Sequence, residues 1–201
     1  KGEFVKISAL PTLLISTIGV MPDAEKAVSI DPKFAGDYVY LLGETHEELG
    51  GSEYFRMIAE HGQEGKVGGT VPQVDAKKNA KLYNAFSKAA ASGLVSSALS
   101  VSRGGLAVAL SKMAMAGELG IEADLSQVPG KTKMPHAILF SESQGRILAT
   151  VAPENAAKFA KLFQVHALRR IGAVTKKPSV SLTMGKKKLA SLSLGSALTA
   201  Y

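Results

Sequence analysis

Two glycine pairs carry the first chemical suggestion in this sequence: Gly50-Gly51-Ser52 and Ser102-Arg103-Gly104-Gly105. Each pair stands between a strand-like apolar run and a run with helical spacing, so each would open a helix. The first turn of a helix leaves roughly four backbone N–H groups without partners and carries partial positive charge. Glycine lets an anion come close to that backbone, and a phosphate group suits the place. The alternative is a tight turn, with glycine at positive φ and Ser52 merely capping the helix that follows. Neither stretch has the GxxxxGK[ST] form of a P-loop. Glu44, Glu47 and Glu48 could hold Mg²⁺ through their oxygens, or form a solvated acidic turn in which Thr45 and Glu48 have capping-box spacing. No pair among His46, His61, His136 and His166 has metal-ligand spacing, and no metal ligand is assigned. A GxSxG elbow is absent, and a chain without cysteine has no Cys-His nucleophile. No residue is singled out as catalytic.

The elements that must position these residues follow from period and punctuation. PTLLISTIGV, residues 11 to 20, is rich in β-branched side chains and predicts a buried strand; a short strand at Ala27 to Ile30 and a third at Tyr38 to Leu42 follow. Residues 52 to 61 predict a helix. Asp75 is placed to cap a helix running to Ser92, because Leu82, Phe86, Ala89 and Ala90 recur at three- and four-residue intervals before Gly93. Residues 94 to 101 predict a strand, and LAVALSKMAMAG after Gly105 a helix apolar on most of its circumference, which belongs inside. Ile121 to Leu125 and Arg146 to Val151 predict strands, with an apolar run at His136 to Phe140 between them. Pro153 opens a helix whose Phe159, Leu162 and Phe163 share a face. Arg170 to Val174 and Val180 to Thr183 complete the strands, before a final helix from Lys188 onward. The glycines from Gly62 to Pro72 predict an exposed loop. Strands and helices mingle without strict βαβ alternation, which predicts an α+β, layered α/β fold with a mixed sheet flanked by helices, over 1–201 as a single domain.

With 201 residues, 46% of them hydrophobic, the chain is long enough for one good core. No run approaches the roughly 20 apolar residues of a membrane span, and the start lacks a signal peptide. A soluble, cytoplasmic protein is expected, consistent with the lack of cysteine. The net charge of +7 is uneven: residues 1 to 100 hold ten Lys plus Arg against twelve acids, residues 101 to 201 fourteen against five. The basic stretch from Arg169 to Lys188 has no interleaved aromatics for base stacking, which argues for a solvated surface and against nucleic acid as a partner.

Taken together, PTLLISTIGV, GETHEELGGSEY at 43 to 54, VSRGGLAVALSKMAMAGELG at 101 to 120 and ILFSESQGRILATV at 138 to 151 resemble, in this order, the C-terminal part of phosphoribosylformylglycinamidine synthase. That family belongs to the superfamily of aminoimidazole ribonucleotide synthase, selenophosphate synthetase and thiamine monophosphate kinase. The resemblance implies the fold of the C-terminal domain of aminoimidazole ribonucleotide synthase. It implies ATP-dependent amidation of formylglycinamide ribonucleotide in purine biosynthesis, with ATP and Mg²⁺ as cofactors of the full-length enzyme and none assured for this fragment. Gly50, Gly51 and Ser52 match the family's LGGS loop, and Ser102, Gly104 and Gly105 its serine and double glycine. One departure stands out: many members read HDxSDGG where this chain has Leu99 to Gly105, so His and both Asp are replaced. Arg103 then either contacts a phosphate or faces solvent. The resemblance implies as partners the missing N-terminal part of the same enzyme, a glutaminase subunit or domain that supplies ammonia, and a small-molecule substrate; a homodimer stays open. The isolated fragment is expected to be inactive. Two other readings are a degenerate, nucleotide-holding or structural domain, and a kinase of the same superfamily.

Overall fold

In YVYLL successive side chains point to opposite sides of a strand, so burying Val39, Tyr40, Leu41 and Leu42 requires cover on both faces. The computed structural model, which describes residues 14–62 and 68–201, supplies that cover by placing β1 (Tyr38–Leu42) inside a seven-stranded sheet. The strand order is β2 (Ser97–Ser100), β4 (Ile147–Val151), β1, β5 (Leu168–Thr175), β3 (Gly120–Asp124), β6 (Ser179–Met184) and β7 (Lys187–Ser193). Only β3 and β6 run parallel; the other neighbours are antiparallel, so the sheet is mixed.

One face carries Val39 and Leu41 against α3 (Gly105–Gly117), α4 (Pro135–Phe140) and α6 (Leu194–Ala200). The other carries Tyr40 and Leu42 against α2 (Ala76–Ala91) and α5 (Ala156–Leu162), where Phe159 and Phe163 close the second core. α3 buries Leu106, Ala109, Leu110, Met113 and Ala114, as its all-round apolar pattern requires. Each fully buried leucine stabilises by about 2 kcal/mol, so this helix is the main anchor of its layer. Toward β7 the sheet is covered on one face: Ile121 and Ala123 are buried, while Glu122 and Asp124 at alternate positions are exposed.

Several expectations are corrected. Residues 14 to 20 form no strand, and Leu14, Ile15, Ile18 and Val20 are exposed; residues 11 to 13 lie outside the described residues. β-branched composition favours a strand only where a neighbouring strand exists to pack against, and none pairs with this stretch among the described residues. Ala27 to Ile30 is irregular and touches the sheet edge through Ala98 N–H to Ser29 O at 2.9 Å, just before Asp31-Pro32 ends the approach. The segment from Lys188 is strand first: Gly185 at φ 60° turns the chain back so that Lys187–Ser193 pairs with β6, and only Leu194–Ala200 is helical. His136 to Phe140 lies in α4, begun by Pro135 at a first-turn position. Of the 62 to 72 loop, residues 63 to 67 lie outside the described residues.

Candidate functional site

α1 (Glu53–Glu60) begins at Ser52, whose buried hydroxyl accepts from Phe55 N–H at 3.2 Å and donates to Leu49 O at 2.7 Å. Glycine at 50 is required by space: a Cβ there would sit 2.6 Å from Gly69 O, and the Gly50 N–H already donates to Thr70 O at 2.9 Å. Gly51 is required by conformation instead, with φ 71° and open space around it. Its N–H has no partner among the described residues. An open depression of about 360 Å³ lies beside this loop, lined by Glu47, Leu49, Phe55, Gly69 and Thr70.

The second loop is built differently. Gly104, the N-cap of α3, has φ 80° and no side chain to cap with; Gly105 has φ 70°, and a Cβ on it would come within 2.7 Å of the Phe140 and Ser141 backbone. The cap comes from a distant segment. Glu142 Oε1 accepts from Gly104 N–H at 2.9 Å and from Glu53 N–H, the first residue of α1, also at 2.9 Å. One carboxylate oxygen therefore joins the N-termini of α1 and α3, the sign of charge that both helix dipoles favour. The Arg103 guanidinium reaches across the same gap to Glu53, donating through Nε at 2.8 Å and through a second, close contact, and Arg56 pairs with Glu53 at 2.6 Å. The hydrogen bond from Arg103 holds the Glu53 carboxyl below the usual glutamate range and raises the Arg103 guanidinium in turn. Tyr54 stacks on Phe140 with ring centroids 4.8 Å apart, closing the apolar side of the junction.

Behind Glu142 stands Arg146, 1% exposed. Its guanidinium donates to Ser143 O at 2.9 Å, to Thr45 Oγ1 at 3.1 Å and to Ser141 O at 2.6 Å, so it fixes the backbone on both sides of Glu142. Burial pushes Arg146 down to about 10, partly offset by Glu48 and Glu142, and it stays charged at neutral pH. Glu142 N–H donates to Glu48 O at 3.2 Å, which ties the same segment to the GETHEEL turn.

The structure thus brings Gly50, Gly51, Ser52, Ser102, Arg103, Gly104 and Gly105 to one junction, and their amides divide. Those of Gly50, Ser52, Gly104 and Gly105 are bonded inside the fold, the last two to Glu142 and to Ser102 O respectively. Those of Gly51, Ser102 and Arg103 have no partner among the described residues, and all three residues are exposed. Glu142, Glu53 and Arg146 carry much of the geometry and were not singled out by spacing. A lone acid between two serines, followed by Gln-Gly-Arg, is the local signal that could have pointed to them.

The sequence model of a known family, described as AIR synthase related protein, C-terminal domain, matches residues 35–185, which hold both glycine loops and Glu142. The chain belongs to that family. As an AIR synthase related C-terminal domain it is 39% identical over 165 residues to phosphoribosylformylglycinamidine synthase subunit PurL of Methanocaldococcus jannaschii, covering 81% of this chain and 22% of the relative. It is 40% identical over 144 residues to the same subunit of Moorella thermoacetica, covering 72% of this chain and 18% of the relative. The chain therefore spans about a fifth of the length of these curated relatives. Among solved structures, T. maritima PurL complexed with FGAR matches with TM-score 0.75 at 20% identity, over 86% of this chain and 29% of that one. E. coli HypE, a hydrogenase maturation protein, matches at 0.58 and 17% identity, over 82% of this chain and 51% of that one. At such identities the likeness establishes the α+β mixed-sheet fold.

A magnesium ion, expected from the family, does not fit the residues described. Glu48 is buried with Oε1 accepting from Gln73 N–H at 2.8 Å, Glu44 pairs with Lys78 at 2.7 Å, and Glu47 is exposed, so the three acids serve different neighbours. Ser100 and Arg103 bring no carboxylate to the second loop, and Arg103 brings positive charge. No group of three or more His, Cys, Asp or Glu side chains is arranged to hold a metal among the described residues.

Proposed function

We propose that this AIR synthase related domain is the C-terminal half of a phosphoribosylformylglycinamidine synthase unit, and that its two glycine loops bind the phosphate of formylglycinamide ribonucleotide. The observation that carries this is the junction of the loops: the amides of Gly51, Ser102 and Arg103, which have no partner among the described residues, lie at the joined N-termini of α1 and α3. Backbone N–H groups at converging helix starts attract an anion without needing a nucleophile. The similarity to PurL subunits supplies the reaction class. In such an amidation the amide oxygen of the substrate takes the terminal phosphoryl group of ATP and ADP leaves. Ammonia then adds at the same carbon, inorganic phosphate departs, and the amidine remains. The task of this domain is positioning, since reactions of this kind depend on geometry and charge more than on a side-chain attack. ATP, Mg²⁺ and the acids that hold them belong to the N-terminal half of such a synthase unit, and ammonia to a glutaminase partner. The protein works in the cytoplasm, and this fragment is inactive alone.

The test is steady-state kinetics of the longer enzyme carrying Gly51→Ala or Arg103→Ala. A rise in KM for the ribonucleotide of tenfold or more, beyond what the loss of stability from left-handed strain at position 51 accounts for, supports the reading. Unchanged KM with reduced stability sinks it. A second reading, a degenerate structural domain, is favoured by one observation: four of the seven loop amides are bonded within the fold and Arg103 is paired with Glu53. It predicts that the same variants alter stability alone. A kinase of the same superfamily fits ELGGSEY and LFSESQGR less well, and a screen of phosphoryl acceptors with the longer enzyme decides it.

A further inference from the structure

Glu142, through its carboxylate, bonds the backbone at the starts of both glycine-loop helices. We propose that it is a positioning residue that locks α1 and α3 into a single unit, and so sets the spacing of the Gly51, Ser102 and Arg103 amides that receive the phosphate. The inference rests on the phosphate reading above.

Three observations carry it. A single oxygen, Oε1, accepts from Glu53 N–H and Gly104 N–H at 2.9 Å each, so neither helix start can shift without breaking a charge-assisted hydrogen bond. Residues 53, 104 and 142 come from three segments far apart in sequence, and only tertiary structure holds them together. The Glu142 backbone is itself immobilised, because buried Arg146 holds the carbonyls of Ser141 and Ser143 while Glu142 N–H is bonded to Glu48 O. Such a mounting suits a fixed clamp and opposes a carboxylate that swings aside when the ligand arrives. The clamp also has a cost: a negative charge stands next to the place where a phosphate dianion would bind. Only the acceptor oxygen is needed to join the helices, and the charge is not.

That distinction provides the test. Glu142→Gln keeps an oxygen that can accept both N–H groups and removes the charge; Glu142→Ala removes both. In the intact protein, amide hydrogen exchange reports the clamp, and titration calorimetry with inorganic phosphate and ribose 5-phosphate reports the site. The expected result is that Glu142→Ala speeds exchange at both Glu53 and Gly104 and weakens binding of both ligands about tenfold or more, the equivalent of losing one good hydrogen-bond interaction. Glu142→Gln restores slow exchange and binds within about threefold of the unmodified protein or more tightly, since a like charge has gone. Exchange at Gly104 and Glu53 unaffected by Glu142→Ala overturns the clamp. Equal loss of binding in both variants overturns the assignment of the oxygen as the acting group. If the unmodified protein binds neither ligand while Glu142→Ala still frees both helix starts, the phosphate reading falls and the clamp is left as a structural device with no ligand to position. Should Glu142→Ala fail to fold, Glu142→Asp, whose shorter side chain reaches at most one helix start, takes its place: it is expected to free one amide and weaken binding, and it overturns the clamp if both amides stay protected.

Discussion

α1 and α3 begin in similar sequence, a glycine pair with a serine one or two residues away, yet they satisfy their first N–H groups in opposite ways. α1 caps itself: the Ser52 hydroxyl turns back onto Phe55 N–H within three residues. α3 starts at Gly104, which has no side chain, and takes its cap from Glu142, 38 residues further on. The same carboxylate oxygen also serves Glu53. A locally capped helix can move as a separate piece, whereas a helix capped from a distance is tied to whatever holds the distant residue. In this molecule that anchor is Arg146 and the strand that follows it, so α3 is fixed to the sheet and α1 is fixed to α3.

The largest expected effect breaks the packing of the second loop. Gly105→Ala must place a Cβ 2.7 Å from the Phe140 backbone and hold alanine at φ 70°. A loss of roughly 3–5 kcal/mol in a denaturant titration is expected, the sum of left-handed strain and overpacking; a loss below about 1 kcal/mol would show that α3 and α4 are not packed as closely as described. Ser52→Ala tests the self-capped helix and should cost about 1 kcal/mol with no effect on the exchange of Gly104 N–H, because that amide has a different acceptor. Equal exposure of both amides would show that the two caps are coupled.

Two smaller effects sharpen the contrast. Asp37, at the start of β1 and 3% exposed, has its carboxyl raised above the ordinary 3.8 by burial, opposed by Ser96. The folded state then holds its proton more tightly than the unfolded chain, so this group stabilises increasingly as pH falls through its folded value and levels off below 3.8. Asp37→Asn should raise the thermal midpoint at pH 7 and flatten that part of the pH profile, away from both loops; an unchanged profile refutes the burial argument. The Arg103–Glu53 pair is solvent-exposed and screened, so Arg103→Ala is expected to leave the thermal midpoint within error at ordinary salt. A clear drop would make Arg103 part of the framework and weaken its assignment to a ligand.

Much of the architecture was legible in the residues themselves. Period and caps located β1, α2, α3 and β4 closely, because each has an apolar pattern long enough to declare its own geometry. The misreadings share one cause. Residues 14 to 20 have strand composition without a neighbouring strand among the described residues, and the helix expected from Lys188 is strand as far as Ser193 because it pairs with β6. Strand formation depends on a partner that local sequence does not name.

The chain alone determined that two glycine loops would stand at helix starts, since glycine is the residue that accepts φ 71° at Gly51 or φ 80° at Gly104. It also determined the family, through motifs in order. Only the tertiary structure decided which loop amides are occupied and which stay available, because the acceptor that sorts them, Glu142, reaches Gly104 and Glu53 across 38 and 89 residues of chain. Hydrogen bonds depend on distance in space, and a sequence records distance only along its length.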